Sequence, residues 1–511
     1  MTFANVFVIT EKQSEKGYCL HDIKIKRSSC GVNVSVNETE FNKILYVMRL
    51  NYLLTFLGLC SSVFTVAQHK AVKKQAKENR QNIIFILADD LGYGDLACYG
   101  NKEIKTPNID KLARTGTRFT QCYAGSGISS PSRCSLMTGR NTGHTTIRDN
   151  FCEAGGFEGL KEGKKIRRAN ILPTDTTIAT VLSAAGYRTC IVNKWHLDGF
   201  NPEATPLNRG FNEFYGWLVS TSYSNDPYYY PYWRFNNYKL ENIKANENDK
   251  RVKHNTDIST DDAISFIKRN TKNPFFLYLA YDAPHEPYNI NDTTWYSNKT
   301  WTGNTKRYAS LITHMDAAIG RLLHQLDSLG LRKNTLVIFA SDNGAAVQAP
   351  LAVLKCNASL RGRKGQLYEG GIRVPLIVNQ PGKVKVQKLN NIVYFPDMMP
   401  TFAAIAKART PQHIDGINIL PLFYGRSVDT DHRLLYWEFP GKQRAARRGD
   451  WKAVTIHPNA PLELYNIKND LTEQHDLASK YPKIVEEFDK AMKKEHVPSP
   501  NWPLPGEFDQ K

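Results

Sequence analysis

Between residues 82 and 400 the chain alternates two hydrophobic patterns. Residues 83–88 (IIFILA), 187–192, 274–281 (PFFLYLAY), 335–340 (TLVIFA) and 374–378 are compact, mostly apolar runs. They are too short for helices and rich in β-branched and aromatic side chains, so each predicts a buried strand. Residues 108–115, 175–185, 261–270 and 308–329 instead place apolar residues three and four apart, which predicts helices. Their ends carry matching punctuation: Thr106-Pro107 opens the first helix, and Gly186 and Gly330 follow the second and the last. Alternating strands and helices predict an α/β fold, a large, mostly parallel sheet with helices on both faces. After about residue 400 the pattern changes. Short strands at 434–439 and 451–454 precede a helix at 483–494. They predict a smaller α+β subdomain with an antiparallel sheet over 401–511, beside a catalytic domain over 82–400.

The residues that end these strands share a chemistry. The run 83–88 ends in Asp89-Asp90, 187–192 in Asn193-Lys194-Trp195-His196, 274–281 in Asp282-Ala283-Pro284-His285, and 335–340 in Ser341-Asp342-Asn343-Gly344. In open α/β sheets the carboxyl edge of the strands is where ligands bind. Asp89, Asp90, Asp342 and Asn343 offer hard oxygen ligands with no soft ligand among them, a set suited to Ca²⁺ or Mg²⁺. One such pair is ordinary turn chemistry; two at the ends of strands in one sheet favour a metal. Lys194, His196, His285 and Lys364 add cations and proton carriers. A divalent cation beside two lysines and two histidines suits a tetrahedral oxyanion, a sulfate or phosphate ester.

The N-terminal region reads differently. Residues 50–67 carry a short apolar run after Met48-Arg49, too short and too polar to span a bilayer and ending in Thr65-Val66-Ala67. This predicts a signal peptide over 48–67 and an exported, periplasmic or secreted bacterial protein without a stable membrane span. A lipoprotein anchored at Cys60 is the lesser alternative. Residues 1–47 then form a non-native or extension segment, and 68–81 a solvated linker. The full chain has a net charge of +18, and 1–67 hold seven basic and five acidic residues, so the remainder keeps +16. That excess favours polyanions. No nucleic-acid-binding signature accompanies it, and no nucleic acid partner is expected. The six cysteines after residue 67 show no CxxC spacing and give no pairing.

The most specific feature is Ser129-Ser130-Pro131-Ser132-Arg133-Cys134-Ser135-Leu136-Met137-Thr138-Gly139-Arg140. It resembles the sulfatase signature, Cys or Ser followed by x-P-S-R-x-x-L-x-T-G-R, at every position. The stretch from Gly186 to Asp198 resembles the second sulfatase signature, departing from it at Asn193 and Asp198, where glycine is usual. The segments beginning at Asp89, Thr106, Ala283, Ser341 and Arg361 are similar to further motifs of the family, so the resemblance runs from about residue 82 to the C-terminus.

The resemblance implies an alkaline-phosphatase-like fold and a sulfuric ester hydrolase. In that family the first signature residue, here Ser129, is converted to formylglycine (3-oxoalanine). One hydroxyl of its hydrate attacks sulfur, and deprotonating the other expels sulfate; a plain serine would be left as a stable sulfate ester. The serine variant implies a radical-type, serine-oxidising maturase. By position, Asp89, Asp90, Asp342 and Asn343 would hold Ca²⁺, and Arg133 would support the hydrated aldehyde. Lys194 and Lys364 would neutralise sulfate oxygens, His285 would protonate the leaving alcohol, and His196 would take the proton that ejects sulfate.

A sulfated carbohydrate is the expected substrate. The segment 221–238 (TSYSNDPYYYPYWRFNNY) is dense in aromatics that could stack on sugar rings. The run 143–150 and the C-terminal end resemble the galactosamine-sulfatase and arylsulfatase A-like branch, which points to galactose or N-acetylgalactosamine sulfates. His144, Arg148 and Asn150 are the expected sugar contacts. The rival readings are a phosphomonoesterase or phosphodiesterase using unmodified Ser129, and a non-catalytic protein that binds sulfated glycans.

Overall fold

The computed structural model describes residues 80–152, 154–161, 163–219, 228–439, 442–503 and 507–508, together with one short antiparallel pair, Ile23–Lys24 with Ser35–Val36. The chain divides into two units, residues 1–79 and 80–511. Apart from that strand pair, the expected extension, signal peptide and most of the linker lie outside the described residues. No helix among the described residues is long and apolar enough to cross a membrane.

The larger unit is built on a ten-stranded mixed sheet. Its strands in chain order are β1 (Asn82–Ala88), β2 (Thr117–Tyr123), β3 (Arg188–Lys194), β4 (Glu213–Trp217), β5 (Trp233–Asn236), β6 (Lys239–Asn242), β7 (Phe275–Ala280), β8 (Thr335–Ser341), β9 (Arg373–Asn379) and β10 (Gln387–Tyr394). They lie in the order β6-β5-β4-β3-β7-β1-β8-β9-β2-β10. The block β4-β3-β7-β1-β8 is parallel throughout, and β9 is antiparallel to both its neighbours. The four strands expected to carry functional ends are therefore adjacent. Every residue of β1 is buried, and its side chains alternate between two cores. Ile83, Phe85 and Leu87 enter one with Phe402 and Trp195; Ile84 and Ile86 enter the other with Phe266 and Leu311. Burial on both faces explains why the run is apolar throughout rather than alternating.

The helices that cover the sheet include α1 (Pro107–Arg114), α2 (Ser129–Thr138), α3 (Ile178–Ala184), α4 (Asn255–Arg269), α5 (Gly303–Ser328) and α6 (Met398–Ala406). The expected boundary at residue 400 falls inside α6, and Phe402, Leu422 and Phe423 sit in the large core. The small antiparallel sheet comprises β11 (Leu435–Phe439), β12 (Gln443–Arg448), β13 (Trp451–Thr455) and β14 (Glu463–Asn466). One face packs on Tyr123, Ile128 and Leu367 of the large unit. The other face packs on α7 (Pro482–Glu495) through Phe488 and Met492. The six cysteines of the described residues carry free thiols.

Candidate active site

Four adjacent strands end at one edge, and their polar termini meet there. β1 delivers Asp89 and Asp90, β8 delivers Asp342 and Asn343, β7 leads to Asp282 and His285, and β3 ends on Lys194 before His196. The loop after β2 leads into α2, whose first residue is Ser129. Pro131 suits the first turn of a helix, and Gly139 ends it in the left-handed region (φ 73°) that glycine adopts without penalty. All ten residues of α2 are buried.

Ser129 Oγ donates to Asp89 Oδ1 at 2.9 Å and lies 3.4 Å from Asn343 Oδ1. Lys194 Nζ donates to Asp89 Oδ2 at 2.5 Å. The guanidinium of Arg133, fully buried, donates to Asp342 Oδ2 through Nη2 at 2.8 Å and Nε at 3.1 Å. Lys364 Nζ donates to Asp90 Oδ2 at 2.7 Å and lies 3.3 Å from His285 Nε2. Asn343 Nδ2 donates to Asp90 Oδ1 at 2.8 Å, and the Asp90 backbone N–H to Asp342 Oδ1 at 3.0 Å. The structure thus brings Ser129, Arg133, Lys194, His285, Lys364 and the four expected metal ligands into one buried network.

The charges are unevenly loaded. Burial disfavours the Asp89 carboxylate, but Lys194, His285, Arg133 and Lys364 overcome it and hold Asp89 well below the usual carboxylate range. Burial and the neighbouring Asp89 push Asp342 up to about 6 against the pull of Arg133. Burial disfavours the Lys364 ammonium, yet Asp90 and Asp89 outweigh it and raise Lys364. Burial, then Lys364, lower His285. Burial, then Arg168, lower His196 well below its usual range. Asp89, Asp90, Asp342 and Asn343 are buried neighbours joined by these hydrogen bonds, and their side-chain oxygens are the hard donors that suit Ca²⁺ or Mg²⁺. Asp89, Asp90 and His285 have ligand atoms within 4.8 Å of one another.

His196 stands beside the start of α2: Ser130 Oγ donates to its carbonyl at 2.6 Å. Asp90, Asn193 and His196 all have left-handed backbones (φ 64°, 78° and 64°), the kind of strain that collects at functional sites. Asn193 occupies a position where the signature has glycine, and asparagine tolerates that conformation. Asp198, the other departure, accepts from Phe200 N at 3.0 Å and closes the turn at Gly199 and Phe200, which have φ of 55° and 66°.

The three expected sugar contacts are placed apart. Arg148 is buried and donates to Glu438 Oε1 at 2.9 Å. His144 Nδ1 lies 3.0 Å from both carboxylate oxygens of Asp415. Asn150 reaches the start of α2, accepting from Ser130 N at 3.0 Å. Of the aromatic segment, residues 221–227 lie outside the described residues, and Tyr228, Tyr229 and Tyr230 are buried. Tyr228 stacks on His285, 5.6 Å between ring centroids, and the Tyr229 hydroxyl donates to the carbonyls of Asp282 and His285 at 3.0 and 2.8 Å. Tyr228 and Tyr229 hold the histidine rather than offering faces to a sugar. Asp282, quoted among the strand ends but given no role, is fully buried with Oδ1 unpartnered; burial pushes it up to about 7.

The sulfatase family profile matches residues 81–408. The chain belongs to the sulfatase family. A second profile, N-sulphoglucosamine sulphohydrolase, C-terminal, matches residues 363–497 of this sulfatase. The sulfatase is 32% identical to human N-acetylgalactosamine-6-sulfatase over 73% of its own length and 71% of that protein's. It is 30% identical to bovine arylsulfatase A, over 81% and 86% of the two chains. Among solved structures, Ps i-CgsB in complex with k-i-k-neocarrahexaose superposes with a TM-score of 0.71 at 30% identity, covering 83% of this chain and 94% of that one. A phosphonate monoester hydrolase of Agrobacterium radiobacter (TM-score 0.59, 18% identity, 81% of this chain and 95% of that one) shares the alkaline-phosphatase-like fold. The sulfatase is a sulfuric ester hydrolase.

Proposed function

We propose that the enzyme removes sulfate from a sulfated carbohydrate, a galactose or N-acetylgalactosamine sulfate, with Ser129 converted to formylglycine by a radical-type maturase and Ca²⁺ held by Asp89, Asp90, Asp342 and Asn343. The observation that carries the reading is the burial of Ser129 Oγ 2.9 Å from Asp89, ringed by Arg133, Lys194 and Lys364. The names of the relatives and the excess positive charge support the glycan, and the pattern of 48–67 supports export. An aldehyde hydrate at position 129 would supply an attacking hydroxyl and a second one whose deprotonation releases sulfate, while the cation would polarise a sulfate oxygen.

The remaining work falls to this chain's own groups. Lys194 and Lys364 sit where they can bind sulfate oxygens, and the N-terminus of α2 adds partial positive charge behind residue 129. Arg133, locked by Asp342, fixes the attacking side. His285 Nδ1 faces the Glu286 carbonyl, which leaves Nε2 as an acceptor toward the Lys364 ammonium, so the proton for the leaving alcohol would come from Lys364, relayed by His285. To buried His196, whose environment keeps it neutral, we assign the acceptance of the proton that frees sulfate. Expulsion of water from the buried site strengthens each interaction.

Peptide mass spectrometry across residue 129 tests the reading, paired with sulfate release from a panel of sulfated monosaccharides before and after chelation. Residue 129 lighter by about two mass units, the loss of two hydrogens on oxidising an alcohol to an aldehyde, is expected in active protein. So is calcium-restored sulfate release. Active protein with unmodified Ser129 overturns the nucleophile, and activity indifferent to chelation overturns the metal.

A further inference from the structure

A second cavity, of about 580 Å³, opens beside the active site, lined by Tyr230, Arg251, Glu286, Asn291, Arg307 and Gln348 among others. Its position follows from connectivity. Glu286 directly follows His285, and Gln348 lies five residues beyond Asn343. The field of Lys364 and Asp90 reaches the Glu286 carboxyl. The cavity therefore adjoins the loop that carries His285, the residue proposed above to serve the leaving alcohol.

Its walls are polar, and two of their groups are guanidiniums. Arg307 is steadied by Asn304 Oδ1, which accepts from Nη2 at 2.6 Å, and no carboxylate among the described residues pairs with it. Asp249 accepts from Arg251 Nε at 2.8 Å, leaving the terminal amino groups of Arg251 without a bond among the described residues. Asn248, Asp249 and Arg251 all have left-handed backbones (φ 58°, 57° and 48°), a costly conformation at three non-glycine positions. Arg251 is further tied to the cavity wall by its carbonyl, which accepts from Asn291 Nδ2 at 3.3 Å, while Asn291 N donates to Tyr230 Oη at 3.1 Å. Two guanidiniums with spare donors suit a planar or tetrahedral oxyanion. Glu286 and Gln348 can accept hydroxyl hydrogens from the sugar ring between.

We infer that this cavity is a subsite for the neighbouring saccharide on the leaving-group side, and that Arg251 and Arg307 there bind a second anionic substituent. The inference rests on the sulfated-carbohydrate reading above. It makes the preferred substrate an oligosaccharide charged on two adjacent residues, not an isolated monosaccharide sulfate. A second sulfate ester and a uronate carboxylate share the chemistry the arginines recognise.

The test compares three disaccharides that carry the same scissile sulfate and differ on the adjoining sugar, which bears a sulfate, a carboxylate or no charge. 4-Nitrophenyl sulfate serves as a small reference. In the mature, full-length enzyme kcat/KM is expected to be higher by about tenfold or more for the doubly charged substrates, the worth of one charged hydrogen-bonded contact. The two charged disaccharides then show which anion fits. Arg307→Gln and Arg251→Gln should collapse the ratio toward one through KM, while Arg409→Gln, at an exposed arginine elsewhere, controls for lost charge. Equal rates on charged and uncharged disaccharides, or equal fractional losses in the variants on all four substrates, overturn the subsite. Binding titrations of the same disaccharides to Ser129→Ala protein read the cavity without turnover. Failure of the sulfatase reading shows separately, as no sulfate from any substrate, and the titration then decides the subsite. Unchanged affinity in Arg307→Gln overturns it.

Discussion

The charged side chains around Ser129 are fixed by partners they cannot lose cheaply. Lys364 illustrates this: it bridges Asp90 and His285, so in the proposed mechanism its removal takes away a sulfate ligand and the cation beside His285. Lys364→Ala is expected to lower kcat on 4-nitrophenyl sulfate by about 10²–10³, the cost of one oxyanion donor, with circular dichroism unchanged. Removing Lys194 should cost a similar factor. A second residue-scale expectation concerns stability. The hydrogen bond from His496 Nδ1 to Glu438 Oε2 at 2.6 Å raises His496 above its usual value, against the opposing effect of burial. A group raised by folding contributes stability that is complete below its unfolded value of about 6.5 and is lost as pH rises through the folded value. The Tm difference between the parent and His496→Gln should therefore be largest near pH 5.5 and shrink toward pH 8. A difference that grows with pH would refute the assignment.

Among the elements, the two-faced strands and the tight crossing of backbones beneath the site carry the greatest constraint. β1 touches both cores, so Phe85→Ala should destabilise by about 3–5 kcal/mol, read in denaturant unfolding. Gly344, just after Asp342 and Asn343, the proposed metal ligands, runs so close to Gly370 that a Cβ there would stand 1.8 Å from the Gly370 carbonyl oxygen. Its N–H donates to Gly371 O at 2.9 Å. Gly344→Ala must push the Asp342–Asn343 loop and the Gly370–Gly371 backbone apart. Calcium affinity is expected to fall together with Tm, while loss of Tm alone would show that the loop can absorb the methyl group.

Across the whole molecule, the small sheet serves the large one. Trp437 Nε1 donates to Ala124 O at 2.8 Å, in the loop that leads to Ser129. Gln443 accepts from Leu367 N at 2.8 Å and donates to Gly365 O at 3.0 Å, next to Lys364. Under this seam lies a buried charge cluster: Lys452 Nζ donates to Glu369 at 3.0 Å and to Glu473 at 2.8 Å, all three fully buried, and Arg373 donates to Glu369 at 3.0 Å. Lys452→Met would strand Glu473 without its cation, at a cost of about 3–5 kcal/mol. Because the seam positions both Ser129 and Lys364, activity should fall before the large sheet unfolds. Activity and global unfolding that coincide on a urea titration would argue against this coupling.

The alternation of buried strands and helices, the four polar strand ends and the signature around Ser129 were legible in the sequence, whereas β2, β4, β5, β6 and β10 were not, because their runs mix charged and polar residues with apolar ones. The legible features depend on local chemistry: apolar runs form strands because they can be buried, and a motif records residue types at fixed spacing. Gly186 to Asp198 kept its loop despite two departures, since asparagine tolerates a left-handed backbone and Asp198 closes its own turn. What only the tertiary structure decided was which distant residues meet. Sheet order sets β3, β7, β1 and β8 side by side, so residues as far apart as Asp89 and Asp342 form one network. The same packing gave Arg148 to Glu438 and turned Tyr228 and Tyr229 toward His285, uses that spacing along a chain cannot encode. Asp282 gained its buried, shifted carboxyl in the same way, because burial and neighbouring charge are properties of the assembled fold.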